Sequence, residues 1–450
     1  AAVVDLNVAG VGPGGVTFNI SAGYTETFAS ATSGLITATG TASDPIVFQK
    51  AGIGANPVVT TPVGLGSYDY IICVAGGDYI TIDGIDIREN PTNTGSGLME
   101  FGFAILKTSP SNGTQYLMIR NAVITLGNNP GNWGIFSQNW DYLGMGSSLI
   151  LTSSDGTNSY NKFYNLNFNN CYDGILLYGF NAATPFNFYD QGNEAGKDGF
   201  ITINGLGWGG AGPDNAIMNA SGVVAWYQNA LTVFNCSITG PVEPGYKNNG
   251  SFFTGIYLGN GTNSSYDIYN NTISVNYTAQ GGFQAIYSAM GKSGTGNAVN
   301  IYNNNIINNN APTVGNTNAD CIALYSGATT LNIYGNLVDN NAFGAGIDTA
   351  TGASTVNYIY WENAPTTQGT ASIYGNTITN NTRRLGPLSN GANTNIIRNG
   401  SSGGNTTVNI YDNVIDNIHI GTGFSTYGIT VISSSTTHNV YNKRMSKILQ

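Results

Sequence analysis

One short phrase recurs six times down the second half of this 450-residue chain. Its copies are Tyr266-Asp-Ile-Tyr-Asn-Asn-Thr-Ile273, Val299-Asn-Ile-Tyr-Asn-Asn-Asn-Ile306, Leu331-Asn-Ile-Tyr-Gly-Asn-Leu-Val338, Ala371-Ser-Ile-Tyr-Gly-Asn-Thr-Ile378, Val408-Asn-Ile-Tyr-Asp-Asn-Val-Ile415 and a degraded last copy, Asn439-Val-Tyr-Asn-Lys-Arg-Met445. Self-similarity at a period of about 30 to 45 residues marks a solenoid, in which each repeat buries its apolar face only against its neighbours. Looser copies extend upstream through Leu231–Ile238, Asn161–Phe168, Leu117–Val123 and Ile80–Ile87. The step from residue 164 to residue 234 has room for two turns, or for one turn with an insertion.

Within each copy, apolar residues alternate over three to six positions, a period that suits strands and not helices. A second apolar segment follows each copy, as in Gly255-Ile-Tyr-Leu258, Ala285-Ile-Tyr-Ser288 and Cys321-Ile-Ala-Leu-Tyr325. Short strands joined by Asn and Gly corners predict an all-β fold, a right-handed parallel β-helix of about ten or more turns. Asn and Gly suit the corners because a sharp bend needs positive φ. In the copy beginning at Val299, Val299 and Ile301 enter the core, Asn304 takes the corner and Ile306 re-enters. Stacked Asn amides can then bond from turn to turn.

Residues 1–66 lack the phrase and read as an N-terminal β cap leading into the solenoid, which runs over residues 67–442. The stretch 181–222 reads as an inserted loop or small hairpin. Residues 443–450 crowd Lys443, Arg444 and Lys447 into an atypical or truncated tail, and the natural chain is expected to continue.

Composition narrows function. Charged residues are 8% of the chain, against about 25% in average proteins. The net charge is -10 with fourteen Lys plus Arg, which argues against nucleic acid, whose binding needs clustered cations. No apolar run is long enough to span a bilayer as a helix. The widely spaced Cys73, Cys171, Cys236 and Cys321 read as small buried hydrophobes.

With these residues the chain resembles the secreted right-handed parallel β-helix surface proteins of Bacteroidota. The most specific stretch is Ala75-Gly-Gly-Asp-Tyr-Ile-Thr-Ile-Asp-Gly-Ile-Asp-Ile-Arg-Glu-Asn90, beside Gly15–Tyr24 and Asp44–Lys50. The resemblance implies export through the type IX secretion machinery, an extracellular or cell-surface location, and a role in adhesion or, in some members, polysaccharide breakdown. The C-terminal sorting domain typical of such proteins is absent from this sequence.

Signs of catalysis are thin. Glycoside hydrolysis needs two carboxylates flanking a cleft, and a Ser-His-Asp arrangement would need His419 or His438. The weak catalytic candidates are Asp190, Glu194, Lys197 and Asp198, in the 181–222 stretch, where four charges can equally be solvation. No metal site is expected, although Asp339, Asp412 and Asp416 could form an acidic ladder for Ca²⁺. Arg383 and Arg384 read as solvent-facing. The ligand-binding candidates are Tyr269, Tyr302, Tyr334, Tyr374 and Tyr411. Each follows an inward Ile, so strand alternation turns it outward, and stacking would align the five as an aromatic stripe. A ladder that merely stabilises its neighbours is the alternative. The expected function is a non-catalytic cell-surface scaffold or adhesin with polysaccharide or another surface protein as partner. The rivals are a β-helix polysaccharide lyase or glycoside hydrolase, and a structural filament or secreted-cargo segment.

Overall fold

In the computed structural model, residues 2–449 are described except 62, 65, 128–130, 197–200, 205–219, 243–251, 278–280, 312–317, 345–354, 363–368, 385–392, 401–405, 422–424 and 433–436. Their regular structure is almost entirely strand, and every strand-to-strand ladder resolved among them is parallel. The chain divides into two compact units, residues 1–204 with 225–235, and residues 205–224 with 236–450. Each is a parallel β-helix.

In the first unit, one face stacks Val16–Ser21, Ile46–Ala51, Ile80–Asp83, Met118–Thr125 and Lys162–Asn169 in register. Glu194–Ala195 and Leu231–Phe234 continue the stack. A second face stacks Leu35–Ile36, Tyr70–Ala75, Phe101–Lys107, Trp133–Asp141 and Asp173–Tyr178. The ladder therefore begins at Val16, inside the stretch expected to cap it. What precedes it is a helix, Ala2–Ala9. Its Asn7 behaves like a piece of strand edge: Nδ2 donates to the Leu35 carbonyl, and Oδ1 accepts from the N–H groups of Thr37 and Ala38. An amide thus satisfies backbone groups that an open edge would leave unpaired.

The stretch 181–222 also departs from expectation. Asp190–Gln191 pairs with Gln228–Asn229, Glu194–Ala195 pairs between Lys162–Phe163 and Thr232–Val233, and Thr202–Asn204 pairs with Asn167–Asn169. The 70-residue step holds two turns, and residues 190–196 are a rung that lacks the phrase.

The second unit is more regular. On one face, Tyr266–Tyr269, Ala298–Tyr302, Thr330–Tyr334, Gly369–Tyr374, Thr406–Tyr411 and Thr437–Tyr441 stack with their Tyr residues in register. Beside them run the strands that carry Ile273, Ile306, Val338, Ile378 and Ile415. The opposite face stacks Phe252–Gly261, Gly282–Met290, Ala319–Leu324, Val356–Trp361, Asn393–Asn399 and Ser425–Val431. The atypical tail is a strand as well, Arg444–Leu449, paired with Val414–Ile420. Three columns of β-branched side chains fill the interior. Ile268, Ile301, Ile333, Ile373 and Ile410 form one, and Ile256, Ile286, Ile322, Ile359 and Ile397 another, all 0% exposed. Burying each such side chain is worth about 1.5–3 kcal/mol.

The corners divide two tasks between adjacent residues. Asn270, Asn303, Gly335, Gly375 and Asp412 take the left-handed backbone, with φ of 55, 54, 63, 61 and 53°. The next residue, Asn271, Asn304, Asn336, Asn376 or Asn413, is buried. Those amides bond in series, each Nδ2 donating to the next Oδ1 at 2.9 Å. Asn309, Asn341 and Asn381 form a second buried series at 2.8 Å. Asn304 therefore belongs to the amide ladder, and Asn303 makes the bend.

Candidate functional site

The expected tyrosine stripe exists, and Tyr441 extends it. From Tyr269 to Tyr441, successive ring centroids lie 4.7, 4.8, 4.9, 4.9 and 5.0 Å apart, with planes within 9° of parallel. The register of the Ile-Tyr pairs forces this arrangement, because identical side chains one strand spacing apart stack on one another. Stacking has a consequence for binding. Each interior ring has a neighbour on both faces, so solvent meets ring rims and hydroxyls rather than the faces a sugar would cover. Burial raises the phenol of Tyr302 to about 12 and also raises those of Tyr334, Tyr374 and Tyr411. These hydroxyls stay protonated near neutral pH.

The two described acid/base candidates, Asp190 and Glu194, are held within the stack. Asp190 is fully buried, accepting from the Asn158 N–H at 2.9 Å and from Gln228 Nε2 at 3.2 Å. Burial raises its carboxyl, and the nearby Lys107 opposes the rise. Lys107 is buried too and donates from Nζ to the Gly156 carbonyl at 2.6 Å. Burial lowers its ammonium to about 8. Glu194 lies in the outer ladder, 3.5 Å from Lys162 Nζ, and the Tyr164 hydroxyl donates to it. Lys197 and Asp198 lie outside the described residues. The two described candidates are thus fixed by neighbours within the stack.

The acidic residues considered for Ca²⁺ are also dispersed. Asp339 and Asp416 both pair with Thr379, which stands between them in the stack. Asp339 accepts from Asn380 and Asp416 from Ser446, and Asp412 is at a corner. No group of three or more potential metal ligands occurs among the described residues. His419 and His438 are exposed, in different strands. Arg383 is the clearest reversal. It is 3% exposed, in register with Phe343 of the core, and its Nη1 donates to the Asn393 carbonyl at 2.5 Å and to Thr394 Oγ1 at 3.1 Å. Burial pulls its guanidinium down to about 10. Arg384 reaches Asn310 Oδ1 at 2.9 Å.

A different cluster forms on the opposite face of the second unit. Tyr257 stacks on Tyr287 at 5.1 Å and 5°, but the row then splays. Tyr287 and Tyr325 lie 5.4 Å apart at 41°, and Tyr325 meets Tyr360 at 5.6 Å and 64°. Arg398 sits over the Tyr360 ring, 5.5 Å from its centroid, an arrangement attractive between guanidinium and ring. The Tyr360 hydroxyl donates to Glu362. Beside them Asp320 accepts from Asn357 Nδ2 at 2.6 Å and from Gln284 Nε2 at 3.4 Å, and Asn395 donates to Asn357. Burial raises the Asp320 carboxyl to about 6, against the pull of its two amide donors. Tyr360 joins these groups, touching Tyr325 with its ring, Arg398 across its face and Glu362 through its hydroxyl.

Register brings this cluster together. Tyr287, Ala323, Tyr360 and Arg398 occupy one column, and Gln284, Asp320, Asn357 and Asn395 another. The sequence signal was the Ile-Tyr pair repeated in the second segments at 256–257, 286–287 and 359–360. Its partners Asp320, Glu362 and Arg398 carry no motif.

No family model matches this chain, and no curated protein matches it. Among solved structures it is similar to the A-module of the mannuronan C-5 epimerase AlgE6 of Azotobacter vinelandii, at 12% identity over 97% of this chain and 93% of that one, with a TM-score of 0.34. It is similar to the GH136 lacto-N-biosidase of Eubacterium ramulus, at 10% identity over 95% of this chain and 62% of that one, with a TM-score of 0.39. The Dettilon tailspike protein gives 16% identity over 93% and 63%, with a TM-score of 0.33. Activities at such distances stay with those proteins.

Proposed function

We propose that this chain is an extracellular, non-catalytic carbohydrate-binding scaffold whose glycan lies on the splayed tyrosine cluster of residues 257–398. The observation that carries the reading is the row Tyr257, Tyr287, Tyr325 and Tyr360, which is parallel between its first two rings and opens from Tyr287 onward, where polar side chains meet it. A sugar offers an apolar face to an aromatic ring and hydroxyls to its rim. The half-buried, splayed rings of Tyr287 and Tyr325, bordered by Gln284, Glu362 and Arg398, answer both needs, while Tyr360 is buried beneath Arg398. Among the candidates from sequence, the self-stacked Tyr269–Tyr441 column answers only the second.

Both carboxyls in the cluster already accept bonds from neighbours, which supports binding over chemistry. The resemblance to secreted surface proteins of Bacteroidota supports an exported location, and with it the type IX machinery and a polysaccharide or surface-protein partner. An enzyme is the second reading: Asp320 and Glu362 are two carboxyls beside the splayed rings, although Asp320 is buried and held by Asn357 and Gln284. A panel of soluble polysaccharides tests both, scoring retention on immobilised protein and release of reducing or unsaturated ends. Retention without release is expected. Reproducible release would establish the enzyme, and absence of retention across the panel would remove the binding reading.

A further inference from the structure

The interior of the first turns is less closed than that of the turns directly after them. One registered column of side chains runs through Phe18, Phe48, Ile82, Ile119 and Phe163. Ile82 is 2% exposed, and Ile119 and Phe163 are 0% exposed. Phe18 and Phe48, stacked at 4.8 Å, are only half-buried. They border a cavity of about 140 Å³ with Phe28, Ile36 and Ile72, and Ala2 and Val3 of the first helix also line it. Tyr24 and Glu26 stand at its margin, both exposed. Glu26 is the one carboxylate on the lining and has no hydrogen bond or ion pair among the described residues.

We infer that this cavity binds a small organic cation with an apolar or aromatic body. An apolar space of about this size lined by aliphatic and aromatic side chains has room for a benzene-sized guest. Phe18 begins the column, so one of its faces has no neighbour in the stack, and an aromatic face of this kind attracts a cation, best a weakly hydrated ammonium group. A single unpaired carboxylate at the rim selects the same charge and repels an anion. Apolar walls give a neutral polar guest nothing to bond. The site is separate from the tyrosine cluster, so either can fail without the other.

The probe is benzyltrimethylammonium, with benzyl alcohol as the neutral comparison and benzoate as the anion, each titrated while following the ring resonances of Phe18, Phe28 and Phe48. The ammonium is expected to shift these resonances saturably, and benzoate to bind at least about tenfold more weakly. Glu26→Gln, an exposed change expected to leave thermal melting intact, should weaken the ammonium about three- to fivefold and leave benzyl alcohol unchanged. Val58→Phe, which fills the lining, should abolish all shifts. Benzoate binding as tightly as the ammonium, or ammonium binding indifferent to Glu26→Gln, would overturn the inference. Phosphatidylcholine vesicles distinguish the source of the ammonium. Cosedimentation lost in Val58→Phe supports a lipid headgroup, and binding of the free ammonium alone supports a soluble amine.

Discussion

At the residue scale, the molecule separates bending from bonding. Asn303 bends the chain at a φ of 54°, where an L side chain without a local hydrogen bond costs about 1 kcal/mol. Asn303→Gly should therefore be near neutral in chemical denaturation, and Asn303→Ala should lose about 1 kcal/mol. The buried position next to the bend, Asn336 in the following turn, behaves differently. Its Nδ2 donates to Asn376 and to the Ile301 carbonyl, and its Oδ1 accepts from the Asn304 backbone and side chain. Asn336→Leu strands several buried polar groups at once and should cost about 3 kcal/mol or more. Tyr79, Tyr116 and Tyr160 occupy left-handed backbone at 52, 56 and 60°, and stack at 4.5 and 4.9 Å. Ring contact there offsets a strain that Asn or Gly avoids elsewhere.

Asp320 gives a pH dependence at the same scale. Its folded carboxyl titrates near 6, above its ordinary 3.8. Between those values the folded state holds the proton and the unfolded state does not, so this group's contribution falls as pH rises from about 4 to 6. Above 6 it costs on the order of 3 kcal/mol. Asp320→Asn should abolish that slope. The wild-type-minus-variant stability, measured from pH 4.5 to 7.5, should drift in the variant's favour as pH rises. A flat difference would show that Asp320 titrates normally.

At the scale of the strand and rung, column position overrides local composition. Arg383 stands in register with Phe343 and Ile420, so the fold places it in the core whatever its charge. Arg383→Met keeps the volume and removes a desolvated charge, so stability should hold or rise by up to about 2 kcal/mol. Arg383→Ala leaves a void and should lose about 2–4 kcal/mol. Denaturant midpoints of the two variants separate charge from packing. The same logic says what was legible in the sequence. The phrase from Tyr266 to Ile415 carries its own period, so its strands, interior Ile columns and amide corners could be read directly. Residues 190–196 form a rung without the phrase, and four nearby charges made them look like a loop. Asp320, Glu362 and Arg398 lie about 40 residues apart with no common spacing, and only register assembles them.

At the scale of the whole molecule, each compact unit buries its apolar columns and covers little of its surface with charge. The four cysteines are buried, and burial raises all four thiols, Cys236 to about 12. They act as core, as their spacing suggested. The outer faces present repeated Asn, Thr and Tyr side chains, and charged residues are 8% of the chain. Such a surface suits hydroxyl-rich ligands better than polyelectrolytes. The aromatic rows on the two faces of the second unit differ in one respect that decides their use: one row stacks on itself, and the other opens.

Titration calorimetry on paired variants tests that difference most directly. A glycan retained by the wild-type protein is measured against Tyr287→Ala with Tyr325→Ala, and against Tyr302→Ala with Tyr334→Ala, each pair first checked for intact strand circular dichroism. Loss of the splayed rings should weaken binding at least tenfold, at about 1–2 kcal/mol per ring, and loss of the stacked rings should change it less than twofold. The opposite ordering would place the glycan on the self-stacked column and contradict the account.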